Sequence, residues 1–256
     1  MLISKLESVL DGDEMEVRQE IYDAFVDALS LSKCGDGPPQ SSYKTYYYNQ
    51  DPLTLYEDQT TISKGTTGLV TWISAQSMAR DIYNPDTKLH KHLASASKVL
   101  ELGAGCGLVS MVVSKLFNST VYATDVDENV LQRLERNVNL NNLSTRVVGL
   151  DWFNDRDVVT NIIPDVVVAA DVVYDDYLFS PLLTILQECL RMNHQCKIYI
   201  RGVIRNERTY QKFISMLRED IKHDINIMQI KNECTQIRNP ASNNRPNEDM
   251  YEVLIG

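Results

Sequence analysis

Val99-Leu100-Glu101-Leu102-Gly103-Ala104-Gly105-Cys106-Gly107 is an aliphatic run carrying one acid that stops in three alternating glycines. The run reads as a strand. Glycines at its end let the backbone turn sharply and let a ligand approach closely. The helical pattern that follows, Cys106–Leu116, aims its first N–H groups at the same place. Alone, such a turn is weak evidence, since a structural corner or a dinucleotide site also has one. The dinucleotide fingerprint, however, needs a third glycine where this chain has Leu108. The spacing here is G-x-G-x-G, with Glu101 two places upstream.

Outward from that turn, strand and helix patterns alternate. Strands are expected at Lys98–Leu102, Thr120–Asp125, Thr145–Leu150, Asp165–Ala170, Lys197–Gly202, Ile225–Lys231 and Tyr251–Ile255. Helices are expected at Cys106–Leu116, Glu128–Leu140, Leu178–Met192 and Asn206–Glu219. This alternation predicts an α/β fold with a doubly wound, mostly parallel seven-stranded sheet. The last two strands are separated by a polar loop, Asn232–Asp249, so a hairpin makes the final strand antiparallel. Upstream, Val70–Ile82 reads as a helix carrying Trp72. The tyrosine-rich stretch Tyr43–Ser63 reads as a hairpin turning near Asn49–Pro52. Asp13–Leu31 has helical apolar spacing with Asp13, Glu14 and Glu16 in its first turn, and Cys34–Ser42 reads as a linker. Residues 1–42 are therefore expected to form an N-terminal helical extension, and 43–256 the main domain.

Composition narrows the function. Of 256 residues, 35 are acidic and 25 basic, a net charge of −10. That balance argues against a phosphate-backbone binder, which needs clustered Lys and Arg, so no direct nucleic-acid partner is expected. No uncharged apolar run reaches membrane-spanning length, and Met1–Asp13 lacks the basic flank of a signal peptide. Five scattered cysteines without C-x-x-C spacing read as reduced thiols of a cytoplasmic protein, with no metal site.

Each strand end carries a polar group suited to a nucleoside. Asp125 closes the second strand, where a carboxylate accepts from ribose hydroxyls. Asp151-Trp152 follows the third, an acid beside an aromatic ring that suits an adenine. The Val-rich fourth strand runs into Ala170-Asp171-Val172-Val173-Tyr174 at the switch point of the sheet, where open α/β sheets place ligands.

With those four strand ends together, the chain resembles the class I, seven-β-strand S-adenosylmethionine-dependent methyltransferases. The ELGAGCG turn, Asp125, Asp151-Trp152 and the D-x-x-Y of Asp171–Tyr174 are similar to the family-16 protein-lysine methyltransferases. Lys64–Trp72 (KGTTGLVTW), Ala169–Tyr174 and Ile204–Phe213 (IRNERTYQKF) resemble the elongation factor 2 lysine methyltransferase branch. Ile73 stands where related enzymes usually have Asp, and Glu207 where the branch tends to have proline.

The resemblance implies a Rossmann-like sheet and S-adenosyl-L-methionine as cofactor. It implies Trp72 at the methionine end, Gly103, Ala104 and Gly105 along the cofactor backbone, Asp125 on the ribose, and Trp152 and Ala170 beside the adenosine. Asp171 and Tyr174 are implied to face the acceptor amine. The implied partner is a protein substrate, elongation factor 2, for an enzyme expected to be monomeric. Acceptor choice is expected to lie in the front helix, the Tyr43–Ser63 hairpin and the Asn232–Asp249 loop. A silent cofactor-binding scaffold, a transferase acting on another protein, and a nicotinamide oxidoreductase are the competing readings.

Overall fold

The computed structural model describes residues 41–59, 66–230 and 249–256. The expected N-terminal helix and most of the expected 232–249 loop lie outside these residues. A two-stranded hairpin, β1 (Ser41–Tyr48) and β2 (Asp51–Asp58), precedes the sheet domain. It starts two residues earlier than expected and turns at Asn49 and Gln50, both in the left-handed region. There follow α1 (Ile73–Tyr83), α2 (Lys88–Ser95), β3 (Lys98–Leu102), α3 (Leu108–Leu116), β4 (Thr120–Asp125), α4 (Glu128–Leu140) and β5 (Arg146–Gly149). The chain continues through α5 (Arg156–Ile162), β6 (Val166–Ala170), α6 (Phe179–Met192), β7 (Lys197–Val203), α7 (Glu207–Asp220), β8 (Ile225–Ile230) and β9 (Met250–Ile255).

Seven strands form one sheet in the order β5-β4-β3-β6-β7-β9-β8. β3 pairs in parallel with β4 and β6, β4 with β5, and β6 with β7, while β9 runs antiparallel to both neighbours. The expected fold class is thus the observed one. Side chains alternate across the sheet, and both faces are buried. Val99, Val121, Val166 and Val168 pack under α1–α4, whereas Leu100, Val167, Ala169, Ile198 and Ile200 pack under α5–α7. The order in which strands are added reverses between β3 and β6, so a crevice opens at their carboxyl ends.

Three local expectations need correction. The helix expected at Val70–Ile82 begins at Ile73, and Trp72 is its extended N-cap residue. Trp72 therefore projects from an extended segment instead of a helical face. Helices α2 and α5 were not expected. With eight and seven residues, they show too few turns for a 3.6-residue period to stand out. In α2 only Leu89 and Leu93 are buried.

The hairpin braces the crevice. Buried Glu57 accepts hydrogen bonds from Tyr46 Oη (2.9 Å), Thr71 N (3.2 Å), Thr71 Oγ1 (2.5 Å) and Lys44 Nζ (3.0 Å). Asp58 accepts from Arg133 Nη2 of α4 at 2.8 Å, and Asn137 Nδ2 donates to the Cys106 carbonyl at 3.0 Å. These buried carboxylates are satisfied by protein donors, as burial of charge requires. They fix the segment before Trp72 against the glycine turn.

Candidate active site

A cavity of about 490 Å³ lies at the carboxyl ends of β3, β4, β5 and β6. That size lies within the usual range of small-molecule sites, roughly 300–1,000 Å³. All nine residues expected from sequence line it: Trp72, Gly103, Ala104, Gly105, Asp125, Trp152, Ala170, Asp171 and Tyr174. Thr67, Val126, Phe153 and Leu178 also line it and carried no expected role. Thr67, Val126 and Phe153 sit beside a residue already singled out or in the motif around it, whereas Leu178 lies four residues past Tyr174 at the start of an expected helix; no local pattern distinguishes a lining neighbour from an outward one.

The floor is bare backbone. Gly103 and Gly105 adopt φ of +64° and +55°, and a Cβ on Gly105 would lie 3.1 Å from the Gly68 carbonyl oxygen. A Cβ on Gly103 would meet Val172 Cγ1 at 2.9 Å. Such a cradle leaves space for a ligand chain to lie against the turn. Beside it, Asp125 accepts from Gly105 N (3.2 Å), Val126 N (2.9 Å) and Asp127 N (3.2 Å). A carboxylate has about four acceptor sites, so Asp125 keeps capacity for a ribose hydroxyl. Burial holds its carboxyl above the usual range, opposed by those three N–H groups. The helix cap is the neighbouring Asp127, which accepts from Asn129 N and Val130 N. Trp152, Phe153 and Val126 supply apolar walls. A nucleoside with a charged tail fits this set of donors, acceptors and rings.

Glu101, the acid upstream of the glycines, is buried. It accepts from Ser110 N at 2.8 Å and from Ser110 Oγ, satisfying an otherwise unpaired N–H in the first turn of α3. Burial pushes its carboxyl up to about 7.

On the opposite side, Asp171 has a left-handed backbone, φ 59°. Its carboxylate, expected to face the acceptor, is held by protein donors: Arg205 Nη1 at 3.0 Å, Val203 N at 3.3 Å and Ser74 N at 3.4 Å. Tyr174 is 56% exposed at the rim. Partial desolvation of its phenol, and then the charge on Asp125, raise its pKa above the ordinary tyrosine value. Among the described residues, no group of three or more His, Cys, Asp or Glu could hold a metal ion. No described helix is long and apolar enough to cross a membrane.

A family model described as lysine methyltransferase matches residues 48–220. The chain is 32% identical over 231 residues to protein-lysine N-methyltransferase EFM3 of Saccharomyces cerevisiae, covering 80% of this chain and 65% of that protein. It is 32% identical over 240 residues to protein-lysine N-methyltransferase EEF2KMT of Homo sapiens, covering 84% and 67%. The chain thus spans about two thirds of the length of these relatives. Among solved structures, the tRNA (uracil-54, C5)-methyltransferase of Pyrococcus abyssi, in complex with S-adenosyl-L-homocysteine, superposes with a TM-score of 0.52. It is 15% identical, and the match covers 83% of this chain and 43% of that one. That likeness concerns the fold.

Proposed function

The chain belongs to the lysine methyltransferase family, and we propose that it is a protein-lysine N-methyltransferase using S-adenosyl-L-methionine, with a lysine of elongation factor 2 as acceptor. The observation that carries this reading is the convergence of nine residues, from strand ends and from the segment before α1, on one cavity. The names of the EEF2KMT relatives favour elongation factor 2 as the acceptor protein. The cytoplasm, where that factor works, is the proposed compartment.

The bound cofactor supplies a methyl group already activated on a sulfonium. Gly103, Ala104 and Gly105 would form the floor under it, Asp125 would accept from its ribose, Trp152 and Ala170 would flank its adenosine, and Trp72 would wall its methionine end. The chain must also present a neutral amine in line with that methyl. Free lysine has a pKa near 10.4, so deprotonation at pH 7 costs about 4–5 kcal/mol. A partly desolvated slot next to a positive charge lowers that cost. Tyr174 stands at the rim, where its phenol is placed to hydrogen-bond the amine. Asp171 belongs to the same side of the cavity.

The test is transfer of tritiated methyl from S-adenosyl-L-methionine to purified elongation factor 2, with peptide mapping of the label. Label on one lysine supports the proposal. Label only on other proteins would reject the acceptor, and cofactor binding without any transfer would identify a silent scaffold.

A further inference from the structure

Three segments distant in the chain meet at Arg205. Its Nη1 donates to Asp171 Oδ1 at 3.0 Å, and its guanidinium carbon lies 4.7 Å from the centroid of the Trp72 ring. Arg205 is not among the residues lining the cavity, whereas Asp171 and Trp72 both are. It stands outside the lining, in contact with a residue of each of two walls.

Each wall needs holding. Trp72 sits in extended backbone before α1, with its indole Nε1 donating to the Thr67 carbonyl at 3.2 Å. That bond ties the ring to its own segment only. Asp171 sits in a backbone conformation that costs a non-glycine residue roughly 1 kcal/mol or more, and it persists only where surroundings impose it. The contacts that hold it are the N–H groups of Ser74 and Val203 and Arg205 Nη1 on its carboxylate, with its own N–H donating to the Arg201 carbonyl at 2.8 Å. Of these, Ser74 belongs to the same segment as Trp72, and Arg205 reaches the Trp72 ring from across the sheet.

We infer that Arg205 is a positioning residue for methyl transfer, acting through Asp171 on one side and Trp72 on the other to set the spacing of the acceptor and cofactor walls. The inference rests on the transferase reading above. Its chemistry follows from charge. With Arg205 against it, Asp171 is half of a neutral pair, so its attraction for an ammonium, which would keep the acceptor protonated, is damped. A guanidinium is suited to this place because its plane can lie against an aromatic face while an N–H at its edge reaches a carboxylate; a compact ammonium does not span both partners as well.

The experiment compares R205M and R205K with wild type. R205M keeps an apolar stem but removes the charge. It should lower kcat by about tenfold or more, since small misplacements at a reacting centre carry losses of up to about 100-fold. The acceptor KM should stay within about twofold, and R205K should recover part of kcat by restoring the charge beside Asp171. The chain has two tryptophans, so a W152F background leaves Trp72 as sole reporter. Its emission in cofactor-free protein should change with either Arg205 substitution. A folded R205M with kcat within about twofold of wild type would overturn the inference. So would a raised acceptor KM at constant kcat, which would place Arg205 on the substrate, or unchanged Trp72 emission. If R205M does not fold, R205K decides by the same two readouts: a severalfold loss in kcat with altered emission is expected, and neither moving overturns it. Should wild type transfer no methyl group, the transferase reading fails while the emission arm still decides whether Arg205 governs Trp72.

Discussion

The Gly105 N–H donates to the Asp125 carboxylate at 3.2 Å, tying the glycine turn after β3 to the tip of β4. One side chain thus sets the floor of the cavity and offers its remaining acceptor capacity to a ligand. Asp125→Ala should therefore weaken S-adenosyl-L-methionine binding by at least about tenfold, the loss of one charge-assisted hydrogen bond or more. Calorimetric titration checks this, and undiminished affinity would remove Asp125 from the binding set.

Filling the cradle should act on binding and on stability together. Gly105→Ala places a Cβ 3.1 Å from the Gly68 carbonyl oxygen at φ +55°. The left-handed conformation costs an L-residue roughly 1–2 kcal/mol, and the added methyl narrows the floor. The variant should melt several degrees lower and lose cofactor affinity. A variant with unchanged melting temperature and affinity would show that the turn tolerates a side chain.

Glu101 introduces a pH dependence of known sign. Its carboxyl is pushed up to about 7 by burial, from an ordinary 4.5. Between those values the native state holds a proton that the unfolded chain has released, so stability declines as pH rises from about 4.5 to 7 and levels off above. The contribution amounts to roughly 3 kcal/mol. Denaturant unfolding at pH 5 and pH 7.5, in wild type and Glu101→Gln, measures it. The variant should lose this part of the slope, its amide oxygen still accepting from Ser110.

Deeper in the sheet, Arg201 is buried and donates to Asp81 Oδ2 at 2.6 Å, to Ser77 Oγ at 3.0 Å and to Glu252. Arg201→Met should destabilise the fold by about 3–5 kcal/mol, because Glu252 would remain buried without its cation. Chemical denaturation reads the loss directly. A cost below about 1 kcal/mol would mean that water or a neighbouring group compensates.

The local devices were legible because they depend on neighbours in sequence. The Lys98–Leu102 strand, the glycine turn, the Thr120–Asp125 strand and the Glu128–Leu140 helix stand where period and composition put them. Short α2 and α5 escaped because one or two turns hold too few apolar positions to show a period. Trp72 falls inside the expected helix Val70–Ile82, but Glu57 accepts from the Thr71 N–H and holds that segment extended.

Sequence alone therefore determined that strands alternate with helices and that acids and glycines stand at strand ends, since both follow from side-chain chemistry read a few residues at a time. Only the tertiary structure decided which ends converge and what each acid faces. Arg205 meets Asp171 from 34 residues away, and Trp72 from a separate segment before the sheet. The order and register of the sheet bring those groups together, and both are products of long-range packing that no local pattern encodes.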